Sequence, residues 1–216
     1  MEIPVAVATF IEKRSEDGEV HDPCEKCNGH CCSAPGFARL ENVLEIFKQY
    51  ENGQLTRTDF QFEQGLNVSK FIWRYFDRVV HQNRLLTLVP KTFTSDFGIV
   101  SVPPTNYYHA RAQIRKKTGS RGCVFLSRLL EKDGAANNLC ILHTEAANRT
   151  ISQKPIDCLF LHCDAAKQVL RPTLQDSIQW ISMLDQSFPN SLARFQEICP
   201  GMPDQTAEVF RQFRAD

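Results

Sequence analysis

The amino-acid sequence predicts an α+β protein, mostly helical, with helices packed around a small hairpin and a cysteine-rich metal site, and with a helical C-terminal cap. Apolar residues recur at helical spacing in several stretches. Short apolar runs bounded by turn residues indicate strands between them. Eight of the nine cysteines lie between residues 24 and 163, which is a high density for thiols that only pack in a core.

The length and composition are those of a globular protein. A chain of 216 residues suggests one domain, 1–216, with a cysteine-cluster metal-binding region over 24–163 and a helical C-terminal part over 174–216. Hydrophobic residues make up 42% of the chain and charged residues 23%, which are ordinary fractions. Lysine plus arginine equals aspartate plus glutamate at 25 each. This balance argues against a nucleic-acid partner, because binding to phosphates draws most of its affinity from positive charge.

The N-terminus predicts a cytosolic protein. The first ten residues contain no lysine or arginine, so they lack the basic start of an export signal. No run approaches the roughly 20 apolar residues that span a bilayer, and we expect no contact with a membrane. Thiols stay reduced in the cytosol, and dense cysteines there more often bind metal than form disulfides.

Five helical stretches are predicted. Apolar residues from Leu40 to Phe47 fall at helical spacing and predict a helix that ends near Asn52 and Gly53. A second helix is predicted over 68–83, with an aromatic stripe that we interpret as core. The C-terminal part predicts an amphipathic helix over 174–188 and short helices over 190–198 and 204–214.

Two groups of strands are predicted between these helices. Residues 85–89 and 99–102 form short apolar runs separated by a polar loop. Residues 122–126 and 139–143 predict a hairpin around a polar turn, which would bring Cys123 and Cys140 close together. The basic segment 111–121 is interpreted as a solvated face, with an anion or nucleic-acid contact beside the metal site as the alternative.

The N-terminal cysteine motif, residues 24–32, carries the strongest chemical signal. Four thiols lie within nine residues, and the two residues between Cys24 and Cys27 let both sulfurs turn toward one ion. Gly29 lets the chain bend again before Cys31 and Cys32. With the thiols that follow later in the chain, the predicted metal ligands are Cys24, Cys27, Cys31, Cys32, Cys123, Cys140, Cys158 and Cys163.

Eight thiolates allow more than one metal centre. Tetrahedral zinc takes four, so eight suit two ions or a pair with bridging thiolates; an iron–sulfur cluster also takes about four. The spacing does not separate zinc from iron, but it disfavours magnesium and calcium, which need oxygen ligands. His30, His143 and His162 are alternative ligands that we interpret as lying outside the metal set. A site of four thiolates has no open position for water, whereas a site of three has one.

These residues resemble a known family. The order Cys24-x-x-Cys27-x-x-x-Cys31-Cys32, then Cys123-Val124-Phe125-Leu126, Cys140-Ile141-Leu142 and Pro155-x-x-Cys158 is similar to the CxxCxxxCC family of zinc- or iron-chelating domains, also called the YkgJ-like cysteine-cluster family. Here Lys154 stands where the family has arginine before the proline, and Leu159 replaces an arginine after Cys158. The resemblance spans residues 24–163 and implies metal binding, but no single reaction.

Three functions follow as hypotheses. The first is a metal-binding protein that holds zinc or iron and presents a surface to a protein partner. The second, suggested by larger relatives of the family, is an iron–sulfur-dependent modification enzyme similar to protein methylases; no catalytic residue is identified for it. The third is metal handling or redox sensing, motivated by the adjacent Cys31 and Cys32 and by Cys199, which lies outside the predicted ligand set.

Overall fold

The computed structural model describes residues 38–57, 59–81, 85–94, 98–101, 122–130, 136–142 and 186–204. These ranges confirm an α+β fold. Their helices are α1 (Leu40–Glu51), α2 (Val68–Tyr75) and α3 (Ser191–Ile198), and their strands are β1 (Phe76–His81), β2 (Leu85–Pro90), β3 (Thr92–Thr94), β4 (Gly98–Val100), β5 (Leu126–Leu130) and β6 (Ala136–Cys140). A helical majority is not visible within these ranges and stays a prediction.

Helix α1 confirms the first predicted helix. Apolar residues at three- and four-residue spacing are buried, among them Leu40, Val43 and Ile46, and the polar Glu41, Asn42 and Gln49 are buried beside them. The backbone N–H of Arg39 donates to the Asn42 side chain at 3.1 Å, which satisfies a group at the helix start. The chain then turns at Gly53, whose φ of +68° favours glycine, at the end that the sequence predicts.

The second predicted helix is wrong in its C-terminal half. The helix begins as expected, where the Asn67 side chain accepts from the Lys70 N–H at 2.9 Å, but α2 ends at Tyr75 and the chain continues as strand β1. Strand β1 pairs with β2 in antiparallel register, from Phe76 opposite Pro90 to His81 opposite Leu85. Aromatic and β-branched residues follow Tyr75, and these favour a strand once a pairing partner is near.

The short strands agree with the sequence in position and differ in detail. Strand β2 confirms the run predicted at 85–89. Strand β4 lies one or two residues before the run predicted at 99–102, and it pairs with β3, which was not predicted. A three-residue strand such as β3 is too short to show a period in the sequence.

The predicted hairpin is present, with shifted strands. Strands β5 and β6 pair antiparallel from Leu126 opposite Cys140 to Leu130 opposite Ala136, which we call the cysteine hairpin. The first strand starts at Leu126 rather than at Gly122, because the Leu126 N–H donates to the Cys123 carbonyl at 2.8 Å and closes a turn there. The expected strands 122–126 and 139–143 were therefore placed about four residues too close to the hairpin's open end.

An aromatic core joins the helices to the strands. Phe71 is fully buried, and its ring centroid lies 4.9 Å from that of Tyr50 and 5.1 Å from that of Tyr75. Phe125, just before the cysteine hairpin, lies 5.6 Å from Phe76 and extends this core toward the hairpin. The prediction that the aromatic stripe forms core is confirmed for its described residues.

Helix α3 confirms the short helix predicted over 190–198 and packs against α1. The Ser191 hydroxyl donates to the buried carboxylate of Glu41 at 3.0 Å, and Arg194 lies 3.5 Å from the same carboxylate. The helix predicted over 174–188 lies outside the described residues except for its last three positions. The helix predicted over 204–214 lies outside them except for Asp204. Among the described helices, none is long and apolar enough to cross a membrane.

Candidate functional site

Two of the eight predicted ligands, Cys123 and Cys140, lie in the part of the chain that the structure describes. The other predicted ligands lie outside the described residues: Cys24, Cys27, Cys31, Cys32, Cys158 and Cys163. The alternative ligands His30, His143 and His162 lie outside them as well, as does the basic segment 111–121. The structure therefore bears on one part of the predicted site, the cysteine hairpin.

The backbone brings Cys123 and Cys140 to the same end of the cysteine hairpin. Cys140 is the last residue of β6 and lies opposite Leu126, the first residue of β5. The turn from Cys123 to Leu126 places Cys123 beside that first pair. Cys123 is buried and Cys140 is half-buried, and both border the hydrophobic core. This register puts the backbone of both cysteines at one end of the hairpin, and the sharing of one metal by their thiols stays a prediction.

The turn that carries Cys123 is fixed by hydrogen bonds to the β3 region. The Phe93 N–H donates to the Gly122 carbonyl at 2.9 Å, and the Val124 N–H donates to the Lys91 carbonyl at 2.8 Å. Thr92 and Cys123 form an isolated antiparallel bridge between these two bonds. Because the backbone is bonded on both sides of Cys123, the direction of its Cα–Cβ bond has little freedom.

The segment that follows the N-terminal cysteine motif is attached close by. Ala38 and Leu88 exchange two backbone hydrogen bonds of 2.8 Å each, so the chain after Cys32 joins the structure at strand β2. The six residues from Cys32 to Ala38 span up to about 20 Å, and the four from Leu88 to Thr92 up to about 14 Å. With Thr92 bridged to Cys123, the segment is long enough to bring Cys32 to the cysteine hairpin.

The two described cysteines do not by themselves form a metal site. Among the described residues, no three histidine, cysteine, aspartate or glutamate side chains gather in one place. Two thiolates at one hairpin end are half of a tetrahedral zinc site, as two strands of a zinc ribbon would supply them. The remaining ligands would come from cysteines outside the described residues.

Cys199 has the surroundings of a structural thiol. It is buried, and its sulfur lies 3.9 Å from the Ser69 carbonyl oxygen as a weak donor. Burial raises the pKa of this thiol above its ordinary value. Since the thiolate is the reactive and metal-binding form, Cys199 is poorly suited to redox sensing or to metal binding near neutral pH.

A polar cluster that the sequence does not indicate surrounds the buried carboxylate of Asp77 in β1. The Ser101 hydroxyl donates to Asp77 Oδ1 at 2.8 Å, and Lys91 Nζ lies 3.9 Å from the same oxygen. Lys91 Nζ also donates to the Trp73 carbonyl at 2.8 Å, while Asp77 Oδ2 is buried without a hydrogen bond. Burial raises the pKa of Asp77 and lowers the pKa of Lys91.

Asp77→Asn is expected to flatten the pH dependence of stability. Burial raises the pKa of Asp77 in the folded state. The stability that Asp77 contributes is therefore fully present below the pKa of aspartate in the unfolded chain, about 3.9. The contribution is lost as pH rises through the folded pKa. The stability of the parent protein relative to Asp77→Asn should therefore fall as pH rises from about 4 toward 7, measured by urea unfolding.

A second variant separates this titration from a packing effect. Ser101→Ala removes a hydrogen bond that lowers the pKa of Asp77, so the fall in stability should extend to higher pH. A difference between parent and Asp77→Asn that is constant with pH would show that Asp77 does not titrate in this way.

No sequence pattern indicates this cluster, because Asp77 and Lys91 meet only through the β1–β2 pairing and the β3 connection. Comparison of the chain with protein-family models, with curated proteins and with solved structures finds no match. The resemblance to the CxxCxxxCC family rests on the motif residues alone.

Proposed function

We propose that this protein binds zinc or iron through its cysteines, with the N-terminal cysteine motif and the cysteine hairpin contributing to a shared centre. The observation that supports it most is the position of Cys123 and Cys140 at one end of the hairpin. The attachment of Ala38 to Leu88 adds to this, because it leaves Cys31 and Cys32 within reach of that end.

The chemistry of the donor set favours soft metals. Thiolates select zinc, iron and iron–sulfur clusters over magnesium and calcium. The residues that would hold the metal are those predicted from the sequence: Cys24, Cys27, Cys31, Cys32, Cys123, Cys140, Cys158 and Cys163. If each ion has four thiolate ligands, the centre is closed to substrate and its role is to stabilise the fold.

The surroundings of the described thiols favour a structural centre. Cys123 is buried on a turn whose backbone is hydrogen-bonded on both sides, and Cys140 ends a paired strand. Ligands on such supported backbone are held in place before the metal binds, which suits a permanent site. We further infer a cytosolic location, where these thiols stay reduced, and a mostly helical chain beyond the described residues.

Metal analysis of anaerobically purified protein tests this proposal. We expect at least about one zinc or iron per chain, since four thiolates bind one tetrahedral ion. A colourless protein with zinc supports the structural site, and a coloured protein with iron and sulfide supports the iron–sulfur form. Cys140→Ser should lower the metal content, whereas Cys199→Ser should leave it unchanged. A parent protein without bound zinc or iron would overturn the proposal.

A further inference from the structure

Arg57 is a buried arginine whose contacts link two distant parts of the chain. Its side chain is completely buried, and Nε and Nη2 donate to the Asp59 carboxylate at 2.8 to 3.1 Å. Its Nη1 donates to the Val124 carbonyl at 2.6 Å, across 67 positions of sequence. The guanidinium also lies 4.8 Å from the Phe93 ring centroid and 5.6 Å from that of Phe60.

This arrangement holds the guanidinium in one orientation. The fork toward Asp59 fixes the guanidinium plane, since two of its nitrogens share one carboxylate. The Phe60 and Phe93 rings restrict it further through cation–π contact. With its plane fixed, the third nitrogen has a fixed position from which it donates to Val124.

The Val124 carbonyl belongs to the turn that carries Cys123. The N–H of Val124 already donates to Lys91, so the bond from Arg57 fixes the other side of the same residue. The Cys123 carbonyl accepts from Leu126 in the same turn. Loss of the Arg57 bond would leave the carbonyl of Val124 partly buried without this partner and would loosen the peptide between Val124 and Phe125, inside the turn that begins at Cys123.

We propose that Arg57 is a positioning residue for the metal centre, which holds the turn that carries Cys123 in shape by binding the Val124 carbonyl. The inference rests on the proposed function, because it takes Cys123 as a metal ligand. The Asp59 carboxylate serves the same end, since it orients the guanidinium that reaches Val124. Neither residue needs to touch the metal.

Arg57→Lys tests the role with charge retained. The lysine ammonium is a point charge without the planar fork, so it does not bind Asp59 and Val124 together in this geometry. We expect the zinc affinity of the folded protein to fall by about 10–100-fold, as for other residues that support metal ligands. The affinity is measured by competition with a chromophoric chelator at a temperature where the variant is folded.

The matched control loses a buried hydrogen bond elsewhere. Ser191→Ala removes the hydroxyl that donates to Glu41, far along the chain from the cysteine hairpin. The stability of Ser191→Ala should fall, while its zinc affinity stays within about twofold of the parent. This change is small beside the loss of about 10–100-fold expected for Arg57→Lys. A cobalt-substituted protein adds a spectroscopic test: its visible bands should change in Arg57→Lys and stay the same in Ser191→Ala.

The outcomes separate this inference from the proposed function. A parent protein that binds neither zinc nor iron overturns the proposed function itself. A parent protein that binds zinc, with Arg57→Lys binding equally tightly and giving the same cobalt spectrum, overturns only the role of Arg57. Should Arg57→Lys not fold, Asp59→Asn tests the same orientation of the guanidinium, and an unchanged zinc affinity in that variant overturns the role.

Discussion

Chelation of the bound metal is expected to lower the midpoint of thermal unfolding by about 8–16 °C. An ion present at about a thousandfold its Kd stabilises the folded state by about 4 kcal/mol. Each kcal/mol moves the Tm of a chain of this size by about 2–4 °C. The described core of aromatic residues has its own buried area, so the chelated protein should keep folded structure rather than unfold completely.

The measurement is a thermal melt followed by circular dichroism, with and without excess chelator. Cys199→Ser should respond to the chelator as the parent does, because its thiol is buried beside Ser69 rather than in the predicted ligand set. The double variant Cys123→Ser/Cys140→Ser should melt below the parent without chelator and should shift less than the parent when chelator is added. A parent Tm that the chelator leaves unchanged would contradict a stabilising metal.

Phe71→Ala is expected to lower the free energy of unfolding by about 3–5 kcal/mol. The Phe71 side chain is fully buried on α2, with ring centroids of Phe47, Tyr50, Tyr75 and Phe76 between 4.9 and 6.1 Å away. Truncation removes apolar contact and leaves a cavity among rings that are too rigid to fill it. Urea unfolding of the metal-loaded protein measures the loss.

Trp73→Ala is the matched control on the same helix. Trp73 is 41% exposed, and the Trp73 atom that accepts from Lys91 is a backbone carbonyl that the substitution keeps. Its effect should stay within about 1 kcal/mol, as for most substitutions outside a core. Equal losses for Phe71→Ala and Trp73→Ala would show that Phe71 is not at the centre of the core.

Sequence periodicity predicted the elements whose burial pattern is local. In α1, residues such as Val43 and Phe47 repeat at helical spacing and the chain turns at Asn52 and Gly53, so one stretch holds the signals for its start, face and end. Strand β2 and helix α3 were predicted for the same reason.

Elements that depend on a distant partner were predicted less well. Residues 76–81 satisfy a helical aromatic pattern in isolation, and only pairing with β2 makes them a strand. The cysteine hairpin begins at Leu126 because Gly122 and Val124, on either side of Cys123, are bonded to Phe93 and Lys91, which lie about 30 residues earlier. Such bonds leave no periodic signal in the sequence.

In the candidate site too, features with a local sequence signal were predicted and features that depend on distant partners were not. The sequence identified Cys123 and Cys140 as a pair by their order and by the hairpin between them, and the backbone register places them at one end of it. No sequence pattern indicates a role for Arg57, because its partner is the backbone carbonyl of Val124, 67 positions away. The shared centre itself stays a prediction, since six of its thiols lie outside the described residues.

Metal content of two paired variants tests the shared centre most directly. One variant replaces Cys24 and Cys27 with serine, the other replaces Cys123 and Cys140, and both are purified anaerobically beside the parent. If both pairs bind a common centre, each variant loses the same ion and the two losses do not add when the pairs are combined. Full metal content in the Cys123→Ser/Cys140→Ser variant, with loss only in Cys24→Ser/Cys27→Ser, would contradict a centre that joins the two parts of the chain.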